Sequence, residues 1–148
     1  MQYTMKPFEA LTNLELYKLL QLRQEIFIIE QDCIYPDIDD KDQAAHHLLA
    51  YEGDKPVGCL RVLGEGVSYE GAASIGRVVV HEAYRGRGIA KEMMLQALAF
   101  IRAEMGDIPV KISAQTYAIA FYESVGFEVM GEAYLEDGIP HVGMVCGS

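Results

Sequence analysis

The stretch Ile75-Gly76-Arg77-Val78-Val79-Val80-His81-Glu82-Ala83-Tyr84-Arg85-Gly86-Arg87-Gly88-Ile89-Ala90-Lys91 decides how this chain is read. Its first half contains the β-branched run Val78-Val79-Val80 and predicts a strand from Ser74 to His81. Its second half is a glycine-rich turn, Arg85-Gly86-Arg87-Gly88, that opens a helix. From Ile89 to about Met105 the residues Ile89, Met93, Ala97, Leu98 and Ile101 recur at helical spacing, and Gly106 ends the pattern. A helix N-terminus offers unpaired N–H groups and a partial positive charge. Glycines let those amides approach an anion, and Arg85, Arg87 and Lys91 add formal charge, so the turn suits a phosphate or pyrophosphate.

Three phosphate-binding patterns compete for this turn. The dinucleotide fingerprint G-x-G-x-x-G/A fails, because Lys91 stands where its third small residue should pack. A G-x-x-x-x-G-K-[ST] loop is absent from the chain. The pattern [RQ]-x-x-G-x-[GA] is satisfied by Arg85, Gly88 and Ala90, directly after a β-branched strand.

Outward from this stretch, short strands and helices alternate. A strand is expected near residues 2–6. Thr12 and Glu15 have capping-box spacing, before a helix whose face carries Leu16, Leu19, Leu20, Arg23 and Phe27 and which ends near Gln31. An acidic loop follows, with Pro36 and aspartates at 37, 39, 40 and 42. His47–Tyr51 and Val57–Val62 read as a hairpin around Gly53-Asp54-Lys55-Pro56. Val110–Ala114 reads as a buried strand, 118–125 as a helix closed by Gly126, and Phe127–Glu132 with His141–Val145 as a final antiparallel pair joined by a longer connection. This order predicts a mixed α/β sheet with one strand–helix–strand crossover.

Composition bounds the function. A chain of 148 residues and 16.5 kDa fits a single domain, residues 1–148. With 51% apolar and 23% charged residues it is a folded chain, not a disordered one. Lys and Arg number 12 against 22 Asp and Glu, a net charge of −10, which argues against nucleic acid and anionic membranes as partners. No apolar run reaches the ~18 residues of a membrane span. Cys33, Cys59 and Cys146 form no CxxC pair, and the first residues carry no secretory pattern, so a cytoplasmic location is expected. Cys33 and Cys59 read as small buried hydrophobes. No metal site is expected: His46-His47 lacks a third ligand at a zinc spacing, and the aspartate loop lacks the glycine and glutamate of a calcium loop. His46-His47 reads as strand-start packing. The aspartates read as a solvated loop, or as a lip that attracts a cationic acceptor.

The strand–turn–helix segment resembles the pyrophosphate-binding motif of the GNAT superfamily of acyl-CoA-dependent N-acetyltransferases. Ala120-Phe121-Tyr122-Glu123-Ser124-Val125-Gly126-Phe127 resembles a second helix signature of that superfamily. The blocks Leu22–Gln31, Tyr35–Asp39, His47-Leu48 and Tyr134–His141 are similar to its ElaA-like branch. The resemblance implies a mostly antiparallel central sheet flanked by helices, whose parallel fourth and fifth strands splay apart to admit acetyl-CoA. Val78, Val79 and Val80 would then offer backbone groups to the pantetheine arm. The amides of Arg85, Gly86, Arg87, Gly88, Ile89, Ala90 and Lys91 would hold the pyrophosphate. Gln115 stands where many members carry a cofactor-contacting Asn. Tyr122 matches a tyrosine that protonates the departing thiolate, although an aromatic on a helix also serves as core. The resemblance implies acetyl transfer to an amine acceptor in a ternary complex, with a non-catalytic acyl-CoA sensor as the alternative. A neutral amine needs a base, and Glu30, His47, His81 and His141 are candidates; Tyr122, Glu30 and His47 are taken as catalytic. Arg77 reads as a surface or helix-end contact, and Tyr134–His141 as a border of the acceptor cleft. A homodimer is the default assembly.

Overall fold

In a computed structural model, which describes residues 1–147, the strands are β1 (Gln2–Pro7), β2 (His46–Glu52), β3 (Lys55–Leu63), β4 (Ala73–Val80), β5 (Val110–Gln115), β6 (Glu128–Glu136) and β7 (Ile139–Cys146). The helices are α1 (Asn13–Arg23), α2 (Ile89–Met105) and α3 (Ile119–Ser124). The strands form one seven-stranded sheet in the order β1-β2-β3-β4-β5-β7-β6. All neighbours are antiparallel except β4 and β5. The parallel pair is joined by α2, because parallel neighbours need a crossover connection. Among the described residues, no helix is long and apolar enough to cross a membrane.

One face of the sheet buries α1, and the other buries α2 with the short α3 beside it. α2 sets Ile89, Met93, Met94, Ala97, Leu98 and Ile101 against Leu48, Leu60, Ile75 and Ile112. Gly58 permits this approach, since a Cβ there would stand 3.3 Å from Met93 Sδ and 3.2 Å from the Val79 carbonyl. On the other face, Leu19, Leu22 and Ile26 pack on Leu49, Cys59 and Val79. α1 starts at the expected capping box, with Glu15 N–H donating to Thr12 Oγ1 and Thr12 N–H to the Glu15 carboxylate. Instead of running on as a regular helix, the chain widens into a π-helical turn over Gln24–Glu30. α1 buries Leu19 and Leu22 and the π turn buries Ile26, while Leu16 and Phe27 stay half-buried.

Two hairpins are tighter than expected. β2 and β3 meet through Gly53-Asp54 alone, because Glu52 pairs with Lys55 and Tyr51 with Pro56. β6 and β7 meet at Asp137-Gly138, with φ of 51° and 76°, the left-handed backbone that a two-residue hairpin requires. The expected long connection is therefore strand.

The sheet opens at its centre. β4 and β5 pair only at Ala73–Val110 and Ser74–Lys111. Beyond those residues the strands splay. β4 also bulges: Cys59 pairs with Val79 and Arg61 with Gly76, so Arg77 and Val78 together face Leu60, and Arg77 takes φ of 52°. From Ile75 to Val80, the peptide groups of β4 that would face β5 have no strand partner.

Candidate active site

Two cavities meet in the wedge between β4 and β5. One, of about 380 Å³, is bordered by Val78, Val79, Val80, Arg85, Ala90, Ala118 and Tyr122. The other, of about 400 Å³, opens towards Lys41, Arg61, Ser68 and Tyr69. Gly76, Arg77, Ser113, Gln115, Glu136 and His141 line both, so the two form one passage through the splay.

The glycine turn at the mouth of the first cavity has the geometry of an anion cradle. Gly86 and Gly88 adopt φ of 79° and 77°, and a Cβ on either would meet no other atom within 4 Å. Glycine is needed there for conformation and for an open face, not for internal packing. Gly88 caps α2 with no side-chain partner for the helix's first amides. Those donors, the open turn and the unpaired edge of β4 fit an extended thioester carrier ending in a pyrophosphate. The charge around the turn is smaller than the sequence suggests. Arg85 donates to both Glu30 oxygens, at 2.7 and 2.9 Å, and its Nε donates to the Val80 carbonyl at 3.0 Å. Arg87 lies over the Tyr84 ring at 5.1 Å. Arg87 and Lys91 remain exposed, without a carboxylate partner among the described residues.

Tyr122 is half-buried on α3, edge-on to Phe121 and Phe127 at 5.1 and 6.0 Å. Burial pushes its phenol up to about 12, so the hydroxyl stays protonated through the neutral range. At the junction, register sets three side chains in one row: Gln115 opposes His141 on β7, which opposes Tyr134 on β6. Paired residues share a face of the sheet. His141 Nδ1 donates to the Ile139 carbonyl at 2.7 Å, and Nε2 lies 3.5 Å from Glu136 Oε2. A carbonyl can only accept, so Nδ1 carries the hydrogen and Nε2 of the neutral ring holds the lone pair. Ser113 Oγ contacts the Tyr134 hydroxyl and donates to Glu136 Oε1 at 3.2 Å. Gly143, which lies between them on β7, has no side chain to intervene. Gln115 Nε2 donates to Gln31 Oε1 at 3.2 Å, closing the passage against α1's π turn.

Val78, Val79, Val80, Arg85, Ala90, Gln115, Tyr122 and Glu30 thus border one cavity. Glu30 enters it as Arg85's ion-pair partner, which holds its carboxyl below the usual range. A carboxylate so held is a poor proton acceptor. His47 does not reach the passage. It is 2% exposed in β2, its Nε2 is 2.9 Å from the Asp42 carbonyl, and burial lowers its basicity. His47, expected from the sequence to be catalytic, is therefore a buried structural residue, out of reach of a substrate in the wedge. His81 caps the turn at Glu82–Tyr84 by accepting from the Ala83 amide, and borders a different surface groove.

The acidic loop is not a solvated face: it borders the acceptor cavity through Asp39 and Lys41, and most of its carboxylates are tied to arginines. Arg23 Nε and Nη1 bind Asp37 and Asp42 at 2.9 and 2.7 Å. Arg61 binds Asp39 and Asp42 at 2.6 and 3.1 Å. Arg77 Nε lies 2.8 Å from Asp37 Oδ1, outside hydrogen-bond alignment, and Nη2 lies 3.3 Å from Asp39 Oδ2. Burial works against the ionised form of Asp39, but Arg61 and Arg77 override it and keep the carboxyl well below its usual range. Asp40 alone of these aspartates has no arginine partner. The network also gives Arg77 its role: it fastens the β4 bulge to the loop. Sequence reasoning gives Ser113 no motif, and it reaches Glu136 and Gln31 only as members of the blocks Tyr134–His141 and Leu22–Gln31.

The chain matches the family model described as an acetyltransferase (GNAT) domain over residues 16–147. It is 41% identical to protein ElaA of Escherichia coli over 132 residues, covering 88% of this chain and 86% of that protein. It is 38% identical over 146 residues to a UPF0039 protein of Schizosaccharomyces pombe, with coverage of 97% and 95%. The crystal structure of an acyl-CoA N-acyltransferase from Pseudomonas aeruginosa superposes with a TM-score of 0.92 at 40% identity, over 99% of this chain and 100% of that one. The crystal structure of E. coli ElaA also gives a TM-score of 0.92, at 36% identity and 99% coverage of both chains.

Proposed function

Because this chain belongs to the GNAT acetyltransferase family, we propose that it transfers an acetyl group from acetyl-CoA to a primary amine, by direct attack within a ternary complex. The observation that carries the proposal is the continuous passage through the sheet, with His141, Glu136 and Gln115 lining both of its halves. Two substrates that enter from opposite ends meet there, and holding them together supplies much of the acceleration.

The backbone amides from Arg85 to Lys91 bind the pyrophosphate, and the edge of β4 from Val78 to Val80 aligns the pantetheine arm. An unpaired β4 amide donates to the oxyanion that develops as the amine attacks. His141 serves as the base at Nε2. As it takes the amine's proton, the ring becomes a cation and gains Glu136 as counter-ion. Glu30 is left with the task of holding Arg85 across the pantetheine cavity. The Tyr122 hydroxyl donates to the leaving sulfur. A phenol at about 12 is a weaker acid than a thiol at roughly 8.5. Its contribution is therefore a hydrogen bond that strengthens as charge builds on sulfur, and the proton lost by the amine finally neutralises the thiolate.

Incubation with acetyl-CoA and a broad amine panel should release CoA thiol. Absence of acetyl-CoA binding by calorimetry at millimolar concentration would refute the proposal. Tyr122→Phe should keep cofactor affinity and lose about 10²-fold in kcat; unchanged turnover removes Tyr122 from the mechanism.

A further inference from the structure

Building on the acyltransferase reading, we propose that the acceptor is a small amino acid-like molecule, whose amine reacts at His141 and whose carboxylate is held by Lys41 at the far end of the acceptor cavity. Lys41 sits inside the loop that the sequence presents as acidic. Of the surrounding aspartates, Asp37, Asp39 and Asp42 neutralise Arg23, Arg61 and Arg77, and Asp40 neither pairs with Lys41 nor lines the cavity. Lys41 is half-buried, and its Nζ donates to Ser68 Oγ at 2.9 Å. Among the described residues it has no carboxylate within ion-pair distance. An ammonium has three donors, and Ser68 uses one. A half-buried cation with unfilled donors, facing a cavity, is matched by an anion. Arg61 lines the same cavity, and its Nε is also buried without a partner among the described residues.

The placement of these groups gives the ligand a direction. Lys41, Ser68, Tyr69 and Arg61 border the acceptor cavity alone, together with Asp39, whose charge Arg61 and Arg77 neutralise, and Asp137, which follows the junction residue Glu136 in the hairpin. Glu136 and His141 border the junction with the pantetheine cavity, beside Arg77, whose charge is taken up by Asp37 and Asp39. The space is therefore polarised, with a carboxylate and base near the thioester and an unpaired ammonium away from it. A zwitterion fits in one orientation, with its nitrogen at Glu136 and His141 and its anion at Lys41. Reversed, it would set like charges together at both ends. A polyamine would bring a second cation onto Lys41. The volume of about 400 Å³ accepts a single amino acid with room for its side chain. In the transfer, the amine's C–N bond forms as the C–S bond breaks, the amine's proton passes to His141, and the carboxylate takes no part.

The test uses matched pairs with the full chain and acetyl-CoA: phenylalanine against phenethylamine, lysine against cadaverine, and the remaining proteinogenic amino acids against their decarboxylated amines. At least one amino acid should exceed its matched amine by roughly tenfold or more in kcat/KM, the size of one charge-assisted contact. In Lys41→Met that ratio should fall towards one, with acetyl-CoA affinity retained by calorimetry, and Lys41→Arg should restore it. Matched amines that react as well as the amino acids in the wild type would overturn the proposal and leave the acyltransferase reading intact. A ratio unaltered in Lys41→Met would also overturn it. Binding of the amino acids to the CoA-loaded protein gives a readout independent of turnover: Lys41-dependent binding supports the proposal even without catalysis, and no binding by any of them overturns it. Failure of acetyl-CoA itself to bind would instead sink the reading beneath.

Discussion

Asp42 is the most deeply buried carboxylate of the charge network, and Asp42→Asn is the substitution whose cost can be worked most directly. Asp42 Oδ1 accepts from Arg23 Nη1 at 2.7 Å and from Arg61 Nη1 at 3.1 Å, with side-chain exposures of 7% for Asp42, 1% for Arg23 and 5% for Arg61. Removing one partner of a buried pair costs about 3–5 kcal/mol. Asparagine keeps the shape and one acceptor oxygen, so the expected loss is about 2–3 kcal/mol. A domain worth about 5–15 kcal/mol stays folded after such a loss. Urea unfolding at pH 7 should therefore show a lower midpoint with an unchanged slope. A loss under about 1 kcal/mol would refute the network as a structural element. So would a loss that disappears in 1 M salt, where the screening length is about 3 Å, because an exposed loop would be screened and a buried network would not.

The same variant has a signed dependence on pH. Burial works to raise Asp42, but the bonds from Arg23 and Arg61 win and hold its carboxyl below the usual range. A carboxyl depressed in the fold contributes stability that is present above its unfolded pKa of about 3.9 and is lost as pH falls through the folded value. Asp39 is depressed in the same direction. The wild type should thus lose stability below about pH 4. The amide introduced by Asp42→Asn does not titrate, so the gap between wild type and variant should narrow as the pH drops.

Three further outcomes are expected. Gly88→Ala places a side chain at φ of 77° with no other atom within 4 Å, so stability should fall by about 1–2 kcal/mol. Acetyl-CoA affinity by calorimetry should fall by roughly tenfold or more, and full affinity would make the turn a plain helix entry. Glu30→Gln releases Arg85 from a pair whose side chains are 42% and 38% exposed, so stability should change by less than about 1 kcal/mol. Acetyl-CoA should then bind a few-fold tighter at low salt; a drop in turnover of about 10² would instead return Glu30 to the role of base. His141→Gln should lower kcat/KM about 10²-fold at pH 7, with the deficit shrinking as the pH approaches the amine's own pKa, about 10 for a lysine-like acceptor. A deficit constant with pH would reduce His141 to a positioning residue.

What could be read from the sequence was local. Thr12 and Glu15 mark α1's start because both partners of the capping box lie within four residues. Ile89–Met105 and Gly106 mark α2 because one face repeats without interruption. The turn of Arg85–Gly88 and the run Val78–Val80 are adjacent in the chain, and they remain adjacent in the cavity. The π turn at Gln24–Glu30 leaves no signature in the sequence, and the apolar residues of this helix run nearly all round it, so its pattern does not single out Leu22 and Ile26 as the buried ones. Asp137-Gly138 did carry a hairpin signal, but the polar residues around it read as loop. They are polar because β6 is an exposed edge strand throughout. His47 and His141 look alike in the sequence. Both are buried between two neighbouring strands, and place in the sheet separates them: His141 lines the wedge between β4 and β5, and His47 lies away from it.

Charge was the least legible property, and for a physical reason. Counting along the chain assigns an excess of negative charge to residues 30–42 and of positive charge to residues 77–91. Folding does not respect those windows. Arg23 reaches Asp42 across 19 positions, Arg77 reaches Asp39 across 38, and Arg85 reaches Glu30 across 55. These pairings cancel most of both excesses. The charges that count for ligands are those the fold leaves unpaired beside a cavity. Arg87 and Lys91 remain at the glycine turn, and Lys41 remains in the acceptor cavity. These are cations on a chain of net charge −10, with the carboxylates Glu136 and Asp137 also at the acceptor cavity, so the overall acidity is no guide to either substrate. The same logic separates two behaviours in salt. Acetyl-CoA binding should weaken as salt rises, because it draws on the exposed Arg87 and Lys91. The discrimination supplied by half-buried Lys41 should persist, because its charge is shielded from solvent ions by the cavity wall.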